Sequence, residues 1–158
     1  MKNKFPKKGS HKLRIGRFSQ QGYVYFITTR CYKNSRIFID EKAVEVVFES
    51  IDWLIAHSYI DLYFCIVMPD HLHMIISLVD TKCLSEVIKS IKQYSSRKIK
   101  SILTISDPIW QEQYYDHTIR KEENLIDVIK YCWYNPVRAG LVTNPNRYPH
   151  WKSKYALE

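Results

Sequence analysis

Apolar residues recur along this chain with two periods, and the switches between them lay out its elements. Residues 22–29 (GYVYFITT) are β-branched and aromatic, the composition of a strand. Asp40 then stands as a helix cap before Val44, Val47, Phe48, Ile51, Leu54 and Ile55, which fall at three- and four-residue steps up to His57. Ile60, Leu62, Phe64 and Ile66 alternate with more mixed residues and predict a second strand. Met68-Pro69-Asp70 breaks it, because proline has no N–H for a ladder. A third strand, from His71 to Val79, forms the other arm of a hairpin. Leu84, Val87, Ile88, Ile91 and Tyr94 mark a second helix. Ile109-Trp110 and 115–119 are short extended pieces. A last helix spans 122–135 and stops at Pro136, since the residue before proline disfavours the helical region. The order predicts an α+β domain: an antiparallel, ferredoxin-like sheet with helices packed on one face.

Length and composition refine this picture. A chain of 158 residues fits one domain with a real core. Residues 1–17 carry Lys2, Lys4, Lys7, Lys8, Lys12, Arg14 and Arg17 without an acid, and read as a basic arm ahead of a domain over 18–158. Lys89, Lys92, Arg97, Lys98 and Lys100 give the second helix a basic flank. The net charge of +8 favours polyanions, either nucleic acid or an anionic membrane surface. No stretch reaches the roughly 20 apolar residues of a membrane span, and the basic N-terminus lacks the apolar run of a signal peptide. Cys31, Cys65, Cys83 and Cys132 lack zinc-knuckle spacing, and disulfides are not expected. A reducing cytoplasm suits them.

Alternate residues of a strand share a face, so His71 and His73 project together. Their face continues through Ile75, Ser77 and Val79, while Leu72, Met74, Ile76 and Leu78 make an apolar face for the helices. Two imidazoles so placed can chelate one ion. A pair of half-exposed strand histidines fits the same pattern, and the motif alone does not choose.

In the last helix, Leu125, Ile126, Ile129, Cys132 and Trp133 make the apolar stripe. Tyr131 falls at its edge, and Asn135, four residues on, lies on the same side. One helix can thus deliver a hydroxyl nucleophile and an amide ligand. A tyrosine in solution titrates near pH ~10, and a phosphodiester repels an incoming anion. A divalent ion on the phosphate answers the second problem as a Lewis acid. The covalent product would be a phosphotyrosine diester that preserves much of the energy of the broken bond. On sequence alone Tyr114, Tyr115 and Tyr134 are rivals, and direction on the helix does not exclude Tyr134.

Taken together, Met-Pro-Asp-His71-Leu-His73, Trp110-Gln111, Asp116-His117-Thr-Ile-Arg120 and Tyr131-Cys-Trp-Tyr-Asn135-Pro-Val-Arg138-Ala-Gly140-Leu-Val resemble one family. It is the single-tyrosine HUH transposases of the IS200-like superfamily, especially the REP-associated tyrosine transposase branch. The resemblance covers about residues 14–150. It implies the ferredoxin-like HUH endonuclease fold, and a transposase that nicks and joins single-stranded DNA, often beside a hairpin. Tyr131 matches the nucleophile, which takes the 5′ phosphate and frees a 3′ hydroxyl. His71 and His73 match the metal-binding histidines, and Asn135 the third ligand, where related members carry another polar residue. The resemblance implies Mg2+ or Mn2+, and imidazole donors suit Mn2+ at least as well. Members act as monomers or as homodimers that exchange the tyrosine helix.

Arg14, Arg17, Lys89, Lys92 and Arg97 are then the expected phosphate contacts. Trp110 and Tyr23 are candidates for stacking on unpaired bases, and core packing is the competing reading. His117 stands where the family often has a histidine, with DNA contact, site orientation or packing as its options. Two further functions compete: a catalytically inactive, domesticated nucleic-acid-binding protein, and a metal nuclease that uses water.

Overall fold

The computed structural model describes residues 22–158. The basic arm, with Arg14 and Arg17, and the boundary at residue 18 lie outside the described residues. The elements are β1 (Val24–Arg30), α1 (Glu41–Ala56), β2 (Ile60–Met68), β3 (His71–Leu78), α2 (Leu84–Leu103), β4 (Tyr115–Ile119), α3 (Leu125–Trp133), α4 (Asn135–Arg138) and β5 (Trp151–Ser153). The strands form one sheet in the order β4-β1-β3-β2-β5, with every pairing antiparallel. The α+β antiparallel class expected from the sequence is the one observed.

Capping sets the helix starts. The Asp40 carboxylate accepts the amides of Lys42 and Ala43 at the head of α1. Glu86 reaches back to the Cys83 amide at 2.8 Å to open α2, which ends at Thr104 in the left-handed region. The Asn124 side chain accepts the Ile126 amide, so α3 begins at Leu125 and not at Glu122. Pro136 ends the helix two residues early, at Trp133 with Tyr134 as its cap, because it offers no N–H and crowds the preceding turn. The chain then restarts as α4 with Pro136 in its first turn, where a missing N–H costs nothing.

The packing departs from the expectation of helices on one face. Leu72, Met74, Ile76 and Leu78 of β3 pack with α1 and α2, as the alternation indicated. Phe26, Phe64, Ile66, Met68 and Ile75 form a second core on the other face, against Val128, Ile129, Cys132 and Trp133 of α3 and against Tyr148 and Leu157 of the tail. Side chains of this size contribute roughly 1.5–3 kcal/mol each on full burial. The second core is possible because β2 does not alternate simply. A bulge between Leu62 and Phe64 leaves Ile60 and Leu62 on the α1–α2 side and turns Phe64 and Ile66 to the α3 side. The helix that carries Tyr131 therefore covers the face that carries His71 and His73, within one chain. No helix among the described residues is long and apolar enough to cross a membrane.

Candidate metal and nucleophile site

Position 73 of β3 lies opposite Thr28 of β1 and Ile66 of β2, and position 71 lies opposite Arg30 and Met68. Each imidazole is fixed through its Nδ1. His71 Nδ1 lies 2.5 Å from the Asp70 carboxylate, and His73 Nδ1 lies 2.7 Å from Thr28 Oγ1. Both rings thereby present Nε2 to the same point, with the two nitrogens 3.1 Å apart. The Asn135 side-chain amide nitrogen stands 3.3 Å from His71 Nε2. Rotating that amide by half a turn exchanges its nitrogen for its oxygen without moving the side chain.

This arrangement fits a hard or borderline divalent ion. An acidic partner on Nδ1 keeps the proton there and leaves the Nε2 lone pair for a ligand. Two lone pairs aimed at one point about 3 Å apart repel, unless a cation lies between them or one nitrogen is protonated. Two donors about 2.1 Å from one ion at a right angle would stand about 3 Å apart. Burial lowers the pKa of His71, and lowers that of His73 well below the ordinary value, where the charges of His71, Arg30 and Arg138 add to the effect. Both rings therefore favour the neutral, metal-ready form. Among the described residues no group of three or more His, Cys, Asp or Glu side chains is placed to hold a metal, and the side-chain groups that converge here are two imidazoles and one amide.

Tyr131 is half-buried at the edge of the second core, one turn before Asn135. The Arg138 guanidinium lies 3.9 Å from the centre of its ring and donates to its backbone carbonyl at 2.6 Å. The rival tyrosines sit differently. Tyr114 packs with the core on the opposite face of the sheet. Tyr134 is 43% exposed and lies edge-on to Trp133. Tyr115 is on the histidine face, but on β4, with Thr28 between it and His73.

Three expected DNA contacts have other duties. Trp110 is buried against Phe38, and its indole N–H donates to Ser95 Oγ at 2.8 Å, so neither ring face is open to a base. The Lys92 ammonium donates to the carbonyls of Gln111, Glu112 and Gln113 and ties that loop to α2. His117 Nε2 meets the Glu123 carboxylate at 2.9 Å, which joins β4 to the turn before α3. Lys89, Arg97 and Tyr23 are exposed. Sequence reasoning missed Thr28 and Arg30, which register alone brings to the histidines. It quoted Asp70 and Arg138 inside motifs without giving them a role.

Known proteins share the fold that carries these residues. The family model for IS200-like transposases matches residues 18–134, and the chain belongs to that family. A Haemophilus influenzae protein assigned as a REP-associated tyrosine transposase is 25% identical over 97 residues. The match covers 53% of each, so the chain spans about half the length of this curated relative. A solved REP-associated tyrosine transposase bound to a REP hairpin superposes with a TM-score of 0.69 at 20% identity, covering 85% of this chain and 79% of its own. A crystal structure of a transposase-like protein from Deinococcus radiodurans R1 superposes at 0.53 with 18% identity, covering 72% and 94%. At these identities the superpositions speak for the fold.

Proposed function

We propose that this protein nicks and rejoins single-stranded DNA through a covalent bond between Tyr131 and a 5′ phosphate. The observation that carries this reading is the convergence of His71 Nε2, His73 Nε2 and the Asn135 amide, placed by the same chain's tyrosine-bearing segment. His71, His73 and Asn135 would hold Mg2+ or Mn2+. When bound, the ion supplies Lewis-acid polarisation of the scissile phosphate.

The rest falls to the chain's own groups. Asp70 and Thr28 hold the imidazoles in the ligating tautomer. Tyr131 gives up its phenolic proton and its oxygen bonds to phosphorus, while the bond from phosphorus to the 3′ oxygen breaks. That oxygen leaves as a hydroxyl once protonated. One diester replaces another, so a 3′ hydroxyl can run the step backwards without an energy source. Exposed Lys89 and Arg97, with the basic arm, would track the DNA backbone. A hairpin beside the cleaved strand is the substrate form we favour, because a similar solved protein holds one. Since α3 packs on its own sheet, a single chain brings the tyrosine segment to the histidines, and a monomer is the working unit proposed.

Incubation with a pool of single strands and Mn2+ tests the reading. Wild-type protein is expected to give shortened strands and a protein-linked band on a denaturing gel. Tyr131→Phe should lose both products while still binding Mn2+. Cleavage with no linked band would assign the reaction to water, and binding without cleavage would favour a domesticated binding protein.

A further inference from the structure

Arg30 and Arg138 approach the histidine pair from opposite sides of the site. Arg30 ends β1 directly across from His71. Thr28, two residues earlier, bonds His73, and alternate strand residues share a face, so Arg30 lies on the histidine face as well. Arg138 reaches the site from the helical side, three residues after Asn135, and its guanidinium covers the Tyr131 ring. Among the described residues neither guanidinium forms an ion pair with a carboxylate, although the chain has 16 acidic residues. With no carboxylate paired to either among the described residues, both guanidinium charges are left to favour an anion beside the two imidazoles.

We infer that Arg30 and Arg138 form a two-sided cradle for one phosphodiester, the one Tyr131 attacks, with Arg138 also fixing the direction of the attacking ring. The inference rests on the strand-nicking reading for the identity of that phosphate. A planar guanidinium suits it, since it can donate two parallel N–H bonds to the non-bridging oxygens as their charge grows. Arg138 keeps its own place by its bond to the Tyr131 carbonyl, which couples the cradle to the nucleophile.

The test uses single strands selected from a random pool by binding to the Tyr131→Phe protein with Mn2+, so that no cleavage intervenes. Each linkage in turn is replaced by an uncharged methylphosphonate, and affinities are measured for Tyr131→Phe alone and combined with Arg30→Gln or Arg138→Gln. The cradle predicts one linkage whose neutralisation weakens binding about tenfold in the parent and less than about twofold in either arginine variant. A variant that merely loosens the fold would lose affinity at every linkage alike. Equal sensitivity to all linkages in parent and variants would overturn the inference. Wild-type cleavage is mapped separately. A coupled linkage on strands that wild-type protein never cuts would leave the cradle standing and remove the nicking reading.

Discussion

Thr28 Oγ1 and His73 Nδ1 lie 2.7 Å apart, 45 residues apart in sequence and on adjacent strands. This one bond sets which nitrogen of His73 faces His71. It also gives a partner to a threonine that is only 9% exposed. Partners of this kind typically change metal affinity by about 10–100-fold. Thr28→Val keeps the shape and removes the hydroxyl, so it should weaken Mn2+ binding within that range and leave the melting temperature nearly unchanged. Calorimetric titration of Mn2+ into both proteins checks this. Unchanged affinity would show that the hydroxyl does not orient the ring.

The histidine pair should make the metal-free protein sensitive to mild acid. Burial lowers both imidazole pKa values in the folded chain, and lowers that of His73 further. The unfolded chain takes up these protons as pH falls through about 6.5, and the folded chain does so only at lower pH. The unfolded state thus binds more protons in that window, and stability declines as pH drops from about 6.5 towards the folded values. Above the window the pair has no such effect. Urea midpoints in EDTA at pH 7.5 and pH 5 should differ more for wild type than for His73→Gln. Equal differences would contradict the buried, neutral pair.

Trp110 should matter to folding and not to DNA. Trp110→Phe breaks the bond to Ser95 Oγ and leaves space beside Phe38, at a cost of about 1–3 kcal/mol. Thermal melts should show the loss, and affinity for a single strand at fixed salt should change less than about twofold. Arg97→Ala, on the exposed side of α2, should do the reverse, reducing the salt dependence of binding by about one unit of slope. A stable Trp110→Phe protein that had lost DNA affinity would restore the stacking role that the sequence suggested.

The sequence revealed the site more fully than the packing that builds it. Alternation placed His71 and His73 on one face because a strand has only two faces. Helical periodicity placed Tyr131 and Asn135 on one side because their spacing is one turn. Neither period says which sheet face α3 covers. The signal lay in β2, whose IDLYFCIVM run is apolar at almost every position, as strands covered on both faces are. The bulge beside Tyr63 hid it, since it reverses the facing of half the strand and no spacing rule marks it. Thr28 and Arg30 were invisible for a related reason. They reach the histidines through strand register, which links positions far apart in the chain. Trp110 and Lys92 suit a DNA surface as an aromatic beside basic residues, and no spacing rule reveals their hydrogen bonds to Ser95 and to three loop carbonyls.

The central claim is the identity of the nucleophile. After reaction with single-stranded DNA and Mn2+ and digestion by nuclease, trypsin should release residues 131–138 as one peptide, because Lys130 and Arg138 bound it. That peptide holds both Tyr131 and Tyr134, so fragment ions must place the modification. The account predicts a nucleotide phosphate on Tyr131, absent when EDTA is present or when His71 is replaced by alanine. A nucleotide on Tyr134 or Tyr115, or cut DNA with no modified tyrosine, would contradict it.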